Sequence, residues 1–134
     1  NSKTHDLDFL QLKGMLKGFI DLTFEWGGQF FILDYKSNHL GDDYTNYGLE
    51  AMEQAMGEHR YDVQMVIYTL ALHRLLALRL PDYDYDRHIG GGYYLFLRGL
   101  NASNSETGQF YNKPDKQLIL SLDRLNNLRS FYKS

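Results

Sequence analysis

Two adjacent glycines, Gly27-Gly28, separate two runs of strand-forming residues, and this arrangement constrains the fold of the chain more than any other feature. The first run, Lys17 to Trp26, is rich in aromatic and β-branched residues. The second, Phe30-Phe31-Ile32-Leu33, leads directly into Asp34-Tyr35-Lys36. A two-glycine turn between such runs specifies an antiparallel hairpin, because the favoured tight turns need positive φ. With the turn centred there, residues that face each other have numbers summing to 55, as 21 and 34 do.

Side chains alternate faces along a strand. The register therefore groups Ile20, Leu22, Phe24, Trp26, Phe31, Leu33 and Tyr35 on one face, apolar throughout and the expected core side. The other face carries Asp21, Asp34 and Lys36. Opposed residues on a shared face have Cβ atoms roughly 5 Å apart, and two carboxylates at that distance repel by ~3 kcal/mol at an effective dielectric of about 20. Lys36 is one possible counter-ion. A hard divalent cation, which accepts two carboxylates, a backbone carbonyl and waters, is another, and magnesium is the simplest choice. On its own, Asp-x-Lys on a strand is usually a solvated pair at a sheet edge. Only the paired register turns it into a candidate metal site.

At 134 residues and 43% hydrophobic, the chain reads as a single globular domain, 1–134, able to bury a core without disulfides. It has no cysteine, which argues against thiolate metal centres and fits a reducing cytoplasm. No apolar run approaches the roughly 20 residues of a membrane span, and the polar start Asn1-Ser2-Lys3-Thr4-His5 lacks a signal-peptide pattern, so the expectation is a soluble protein with no membrane partner. The chain does not begin with Met, and strand-like residues lie close to its start; it reads as a piece of something longer. A net charge of −3 excludes a broad basic surface that binds nucleic acid by phosphate neutralisation alone. Any DNA contact must be local, metal-assisted or shared with another surface.

Further along, Phe9, Leu10 and Leu12 suggest a short first strand, with Lys13-Gly14 turning into the longer strand that begins near Met15. Residues 37–43 are a polar loop. Tyr47 to His59 carries Leu49, Met52, Ala55 and Met56 at helical spacing, and Tyr61 to Leu80 is an uninterrupted helix stopped by Pro81. On that second helix Tyr61, Gln64 and Tyr68 form one polar-tipped stripe, with Gln64 and Tyr68 as an i, i+4 pair. Residues 81–88 read as a solvated connection without chemistry. Gly90-Gly91-Gly92 lacks phosphate-loop spacing and leads into Tyr93-Tyr94-Leu95-Phe96-Leu97, a strand buried on both faces. Between Gly99 and Pro114, residues 101–108 read as a flexible loop, and Lys116 to Tyr132 as a terminal helix. The expected order is strand, strand, strand, helix, helix, strand, helix: an α/β sandwich around a mixed sheet.

Taken together, Gly18-Phe19-Ile20-Asp21-Leu22, Leu33-Asp34-Tyr35-Lys36-Ser37-Asn38, Gln64-x-x-x-Tyr68 and Tyr93 to Gly99 resemble the PD-(D/E)xK nuclease superfamily. The stretch Leu16 to Arg98, including His59-Arg60-Tyr61-Asp62 and Tyr68 to Arg74, looks most like the C-terminal nuclease domain of RecB-type subunits of bacterial helicase-nucleases, the exodeoxyribonuclease V class. That resemblance implies a restriction-endonuclease-like α/β core whose N-terminal helix is absent from this chain. It implies Asp21 and Asp34 as metal-binding carboxylates, the Tyr35 backbone carbonyl as a further ligand, and Lys36 as the catalytic lysine, acting as a point charge or as a base. Gln64 and Tyr68 match the family's Gln-x-x-x-Tyr motif, with Tyr61 beside them as support for the site or for DNA. Such nucleases also use a histidine on an upstream helix, for which His5 is no safe substitute.

The implied chemistry is magnesium-dependent hydrolysis of DNA phosphodiesters, with calcium or manganese as substitute ions, in double-strand break repair, recombination and degradation of linear DNA. Implied partners are DNA, RecC- and RecD-like subunits, and RecA. A reading of another class is a truncated module, weak or inactive in cleavage, that serves RecA loading or subunit docking. A third keeps the chemistry but moves it to AddAB-type enzymes, Cas4-like proteins or phage exonucleases; the match around Asp34 to Asn38 and Tyr61-Asp62 favours the RecB type.

Overall fold

The structure, a computed structural model, describes residues 23–133, with side chains described as far as residue 125. The expected strand at Phe9 to Leu12 and the first part of the hairpin strand, Asp21 included, lie outside the described residues. Among the described residues β1 (Thr23–Trp26) and β2 (Gln29–Lys36) form the hairpin. Gly27 and Gly28 have φ of 60° and 80°, which an L side chain adopts only at a cost. The pairs Thr23 with Ile32, Phe24 with Phe31, Glu25 with Phe30 and Trp26 with Gln29 each sum to 55, the register expected from the turn.

After β2 a 3-10 turn, Tyr44–Tyr47, leads into helix α1 (Leu49–Glu58), then α2 (Tyr61–Arg79) and a one-turn helix α3 (Tyr85–His88). Strand β3 (Ile89–Phe96) follows, then β4 (Gln109–Asn112) and the terminal helix α4 (Lys116–Lys133). The sheet order is β1-β2-β3-β4, with β2 and β3 parallel and both outer pairs antiparallel, so the sheet is mixed as expected. Three expectations need correction. The connection 81–88 contains a helical turn, capped where the Asp84 side chain accepts from Arg87 N at 3.1 Å. The glycine run is strand rather than lead-in: Gly92 lies where Met65 of α2 presses on the sheet, and a Cβ there would collide with the Met65 sulfur. The expected order lacks β4, which follows the expected loop 101–108 and whose Tyr93–Tyr111 and Tyr94–Phe110 pairs complete the sheet.

The core sits on the opposite face of the hairpin from the one its apolar residues suggest. Ile32, Tyr94 and Phe96 are fully buried beneath α2, with Met52, Met65, Leu72 and Ile119. The face expected to be core is partly open among the described residues, with Phe24 41%, Tyr35 50% and Trp26 76% exposed. Its rings shield one another in a row across all four strands: Phe24 on Phe31 at 5.1 Å, Phe31 by Tyr93 at 6.1 Å and Tyr93 by Tyr111 at 5.0 Å. The helices cover the other face, which tolerates Asp34 and Lys36 because each compensates the other's charge. No helix among the described residues is long and apolar enough to cross a membrane.

Candidate active site

Asp34 and Lys36 lie two residues apart near the end of β2, so strand alternation turns both toward α2. The Lys36 ammonium is 3.1 Å from Asp34 Oδ2, and the two side chains are only 14% and 13% exposed. Few charges are sequestered to this degree without partners, and Lys36 has several. Its Nζ donates to Gln64 Oε1 at 3.1 Å, and it lies over the Tyr61 ring at 3.9 Å from the centroid and within 5.3 Å of that of Tyr94. An ammonium between a carboxylate, an amide oxygen and an aromatic face is held in place by electrostatics alone.

Helix α2 supplies the other wall. The i, i+4 spacing expected for Gln64 and Tyr68 is realised as a hydrogen bond, Gln64 Nε2 donating to Tyr68 Oη at 2.8 Å. Tyr61, one turn earlier, stacks on Tyr94 at 5.6 Å and on His59 at 5.2 Å, and its hydroxyl donates to Asn38 Oδ1 at 3.2 Å. The structure thus brings Asp34, Lys36, Tyr61, Gln64 and Tyr68 into one cluster.

Two residues left unassigned by sequence spacing belong to the same cluster. Tyr94 faces Asp34 across the parallel pairing of β2 with β3 and is fully buried. Burial, and next the Asp34 charge, push its hydroxyl well above the usual tyrosine range, so it stays a proton donor. Nothing in the local sequence distinguishes it from Tyr93, which points to the opposite face; only the β2–β3 register does. Asn38 lies in the loop after β2. That loop folds over the buried Tyr47, whose hydroxyl accepts from Leu40 N at 3.1 Å and donates toward Asn38 O at 3.4 Å. Arg98, just past β3, donates from Nε to Ser37 O at 3.0 Å and ties the ends of the parallel strands together.

Asp34 and the Tyr35 carbonyl are hard oxygen donors of the kind magnesium prefers. Among the described residues no group of three or more His, Cys, Asp or Glu side chains converges, so a full coordination shell needs donors beyond these. Asp21, the expected second carboxylate, lies outside the described residues.

The chain is 50% identical over 119 residues to the RecBCD enzyme subunit RecB of Escherichia coli K12, covering 89% of this chain and 10% of that one. It is 47% identical over 120 residues to the Haemophilus influenzae RecB subunit, covering 90% and 10%, and 40% identical over 121 residues to that of Mycobacterium tuberculosis H37Rv, covering 85% and 11%. The chain therefore spans about a tenth of the length of these relatives. Residues 3–129 match the model of the PD-(D/E)XK nuclease superfamily, to which this chain belongs.

Proposed function

We propose that the chain is the DNA-hydrolysing part of a RecBCD-type helicase-nuclease subunit, cleaving phosphodiesters with magnesium. The observation that carries this reading is the fixed Lys36 ammonium, held by Asp34, Gln64 and the Tyr61 ring. The similarity to RecB subunits supports the cellular setting: DNA as substrate, RecC- and RecD-like subunits as partners, and work in break repair and recombination.

In this reading Asp34, Asp21 and the Tyr35 carbonyl hold the metal. The observed hairpin register, whose pairs share the sum that 21 and 34 have, supports Asp21 as the second carboxylate. When bound, magnesium polarises the phosphoryl oxygen and lowers the pKa of a water. The chain's own residues do the rest. Lys36 places a positive charge where negative charge develops on the phosphoryl oxygens, and Gln64 and Tyr61 hold it there without reorganisation during the reaction. Tyr68 orients Gln64. The expected result is that Asp34→Ala and Lys36→Ala, each in the intact protein, lower magnesium-dependent cleavage of single-stranded DNA by about 100-fold or more while leaving the melting temperature near that of wild type. Undiminished cleavage by either purified variant overturns the assignment.

A further inference from the structure

Gln64 connects Lys36 to the rest of the site, and its amide is almost fully engaged. Oε1 accepts from Lys36 Nζ at 3.1 Å and from the Tyr94 hydroxyl at 3.0 Å, while Nε2 donates to Tyr68 at 2.8 Å. Both lone pairs of the carbonyl are filled, and the amide cannot flip without setting an NH2 group against an ammonium. The same Tyr94 hydroxyl lies 2.9 Å from the backbone oxygen of Tyr61 in the first turn of α2, so its single proton is shared between the helix backbone and the Gln64 side chain. Tyr94 is fully buried, stacks on Tyr61, and comes from β3 rather than from the hairpin. It is thus the point at which sheet, helix backbone and Gln64 meet.

From this geometry we infer that Tyr94 is a positioning residue: its hydroxyl fixes the Gln64 carbonyl, which in turn holds the Lys36 ammonium independently of Asp34. The independence matters because Asp34 is a shared partner. In the proposed reaction its carboxylate serves a metal, and an ammonium held only by that carboxylate would lose its anchor at that moment. Held also by Gln64 and the Tyr61 ring, Lys36 keeps its place. This inference rests on the nuclease reading given above.

A double-mutant cycle in the intact protein tests it, with single-stranded DNA and saturating magnesium. Removal of one neutral hydrogen bond, Tyr94→Phe, is expected to lower kcat by about 5-fold to 10-fold with KM unchanged. Gln64→Ala is expected to lower kcat further, and adding Tyr94→Phe to it is expected to cost nothing more. Para-aminophenylalanine at position 94, which retains a donor, is expected to restore kcat to within about 2-fold of wild type. Where Tyr94→Phe does not fold, para-fluorophenylalanine fills the space of the hydroxyl without its proton and takes its place in the cycle. Wild-type kcat in the variant without the hydroxyl, or full additivity with Gln64→Ala, overturns the inference. The nuclease reading fails separately, if Asp34→Ala cleaves normally.

Discussion

Lys36 is held by several partners, and Gln64 is the uncharged one among them that also bonds Tyr94 and Tyr68. Gln64→Leu keeps bulk on the buried face of α2 but takes away the amide oxygen 3.1 Å from the ammonium. A hydrogen bond to a charged group contributes about 1.5–3 kcal/mol, so single-turnover cleavage is expected to slow by about 10-fold or more. Thermal unfolding is expected to change little, since Lys36 keeps Asp34 and Tyr94 keeps the Tyr61 backbone oxygen. Retention of the wild-type rate would show that Asp34 and the Tyr61 ring suffice. The shared face of Asp34 and Lys36 and the pairing of Gln64 with Tyr68 were legible in the sequence because alternation along one strand and i, i+4 spacing along one helix are local rules. Tyr94 was not, since which of two adjacent tyrosines faces the site is set by a pairing between segments about 60 residues apart, as Asp34 opposite Tyr94 shows.

Elements were legible where a local signal marked their ends, as Gly27-Gly28 marks the hairpin and Pro81 marks the end of α2. Strand β4 has only four residues, between Gly108 and Pro114, too few for alternation to show, and its order comes from Tyr93, Tyr94 and Leu95 beside it. The buried face of the hairpin is misread from composition because its outer face is the more apolar of the two. The row of rings on the outer face outweighs Ile32 in composition, while α2 decides burial. Two glycines are expected to behave oppositely. Gly92 carries the weight of Met65, so Gly92→Val is expected to destabilise the fold by about 1–3 kcal/mol through overpacking. Gly57, inside α1, has nothing within 4 Å of an added Cβ, and Gly57→Ala is expected to stabilise by about 0.5–1 kcal/mol. Urea midpoints for the two variants should move in opposite directions; an unchanged or raised midpoint for Gly92→Val would contradict this account of how α2 seats on the sheet.

At the scale of the whole molecule, α4 is fastened to α2 by a part-buried polar network that begins five residues beyond Tyr68 on the same helix. Asp123 of α4 accepts from Arg74 Nε at 2.7 Å and lies 3.6 Å from His73 Nε2, while His73 Nδ1 is 2.6 Å from the Tyr83 hydroxyl. Tyr85 closes the far side of the imidazole at 6.1 Å, and burial pushes its own hydroxyl up to about 12. His73 is nearly buried, and that burial holds its imidazole below the ordinary value of 6.5, against the opposing pull of Asp123 and with a smaller contribution from Arg74. Between the folded value and 6.5 the unfolded chain binds more protons at this site than the folded one, so stability is full above pH 6.5 and is lost as pH falls through that window. His73→Gln, which cannot titrate but can still accept from Tyr83, is expected to flatten this part of the pH dependence and leave the rest in place. Urea unfolding from pH 8 down to 5 measures it, and a wild-type curve no steeper than the variant's would remove His73 as the source. Because this network anchors α4 to α2, on which Gln64 and Tyr68 also lie, loosening it by acid is expected to reach the site through the helix they share.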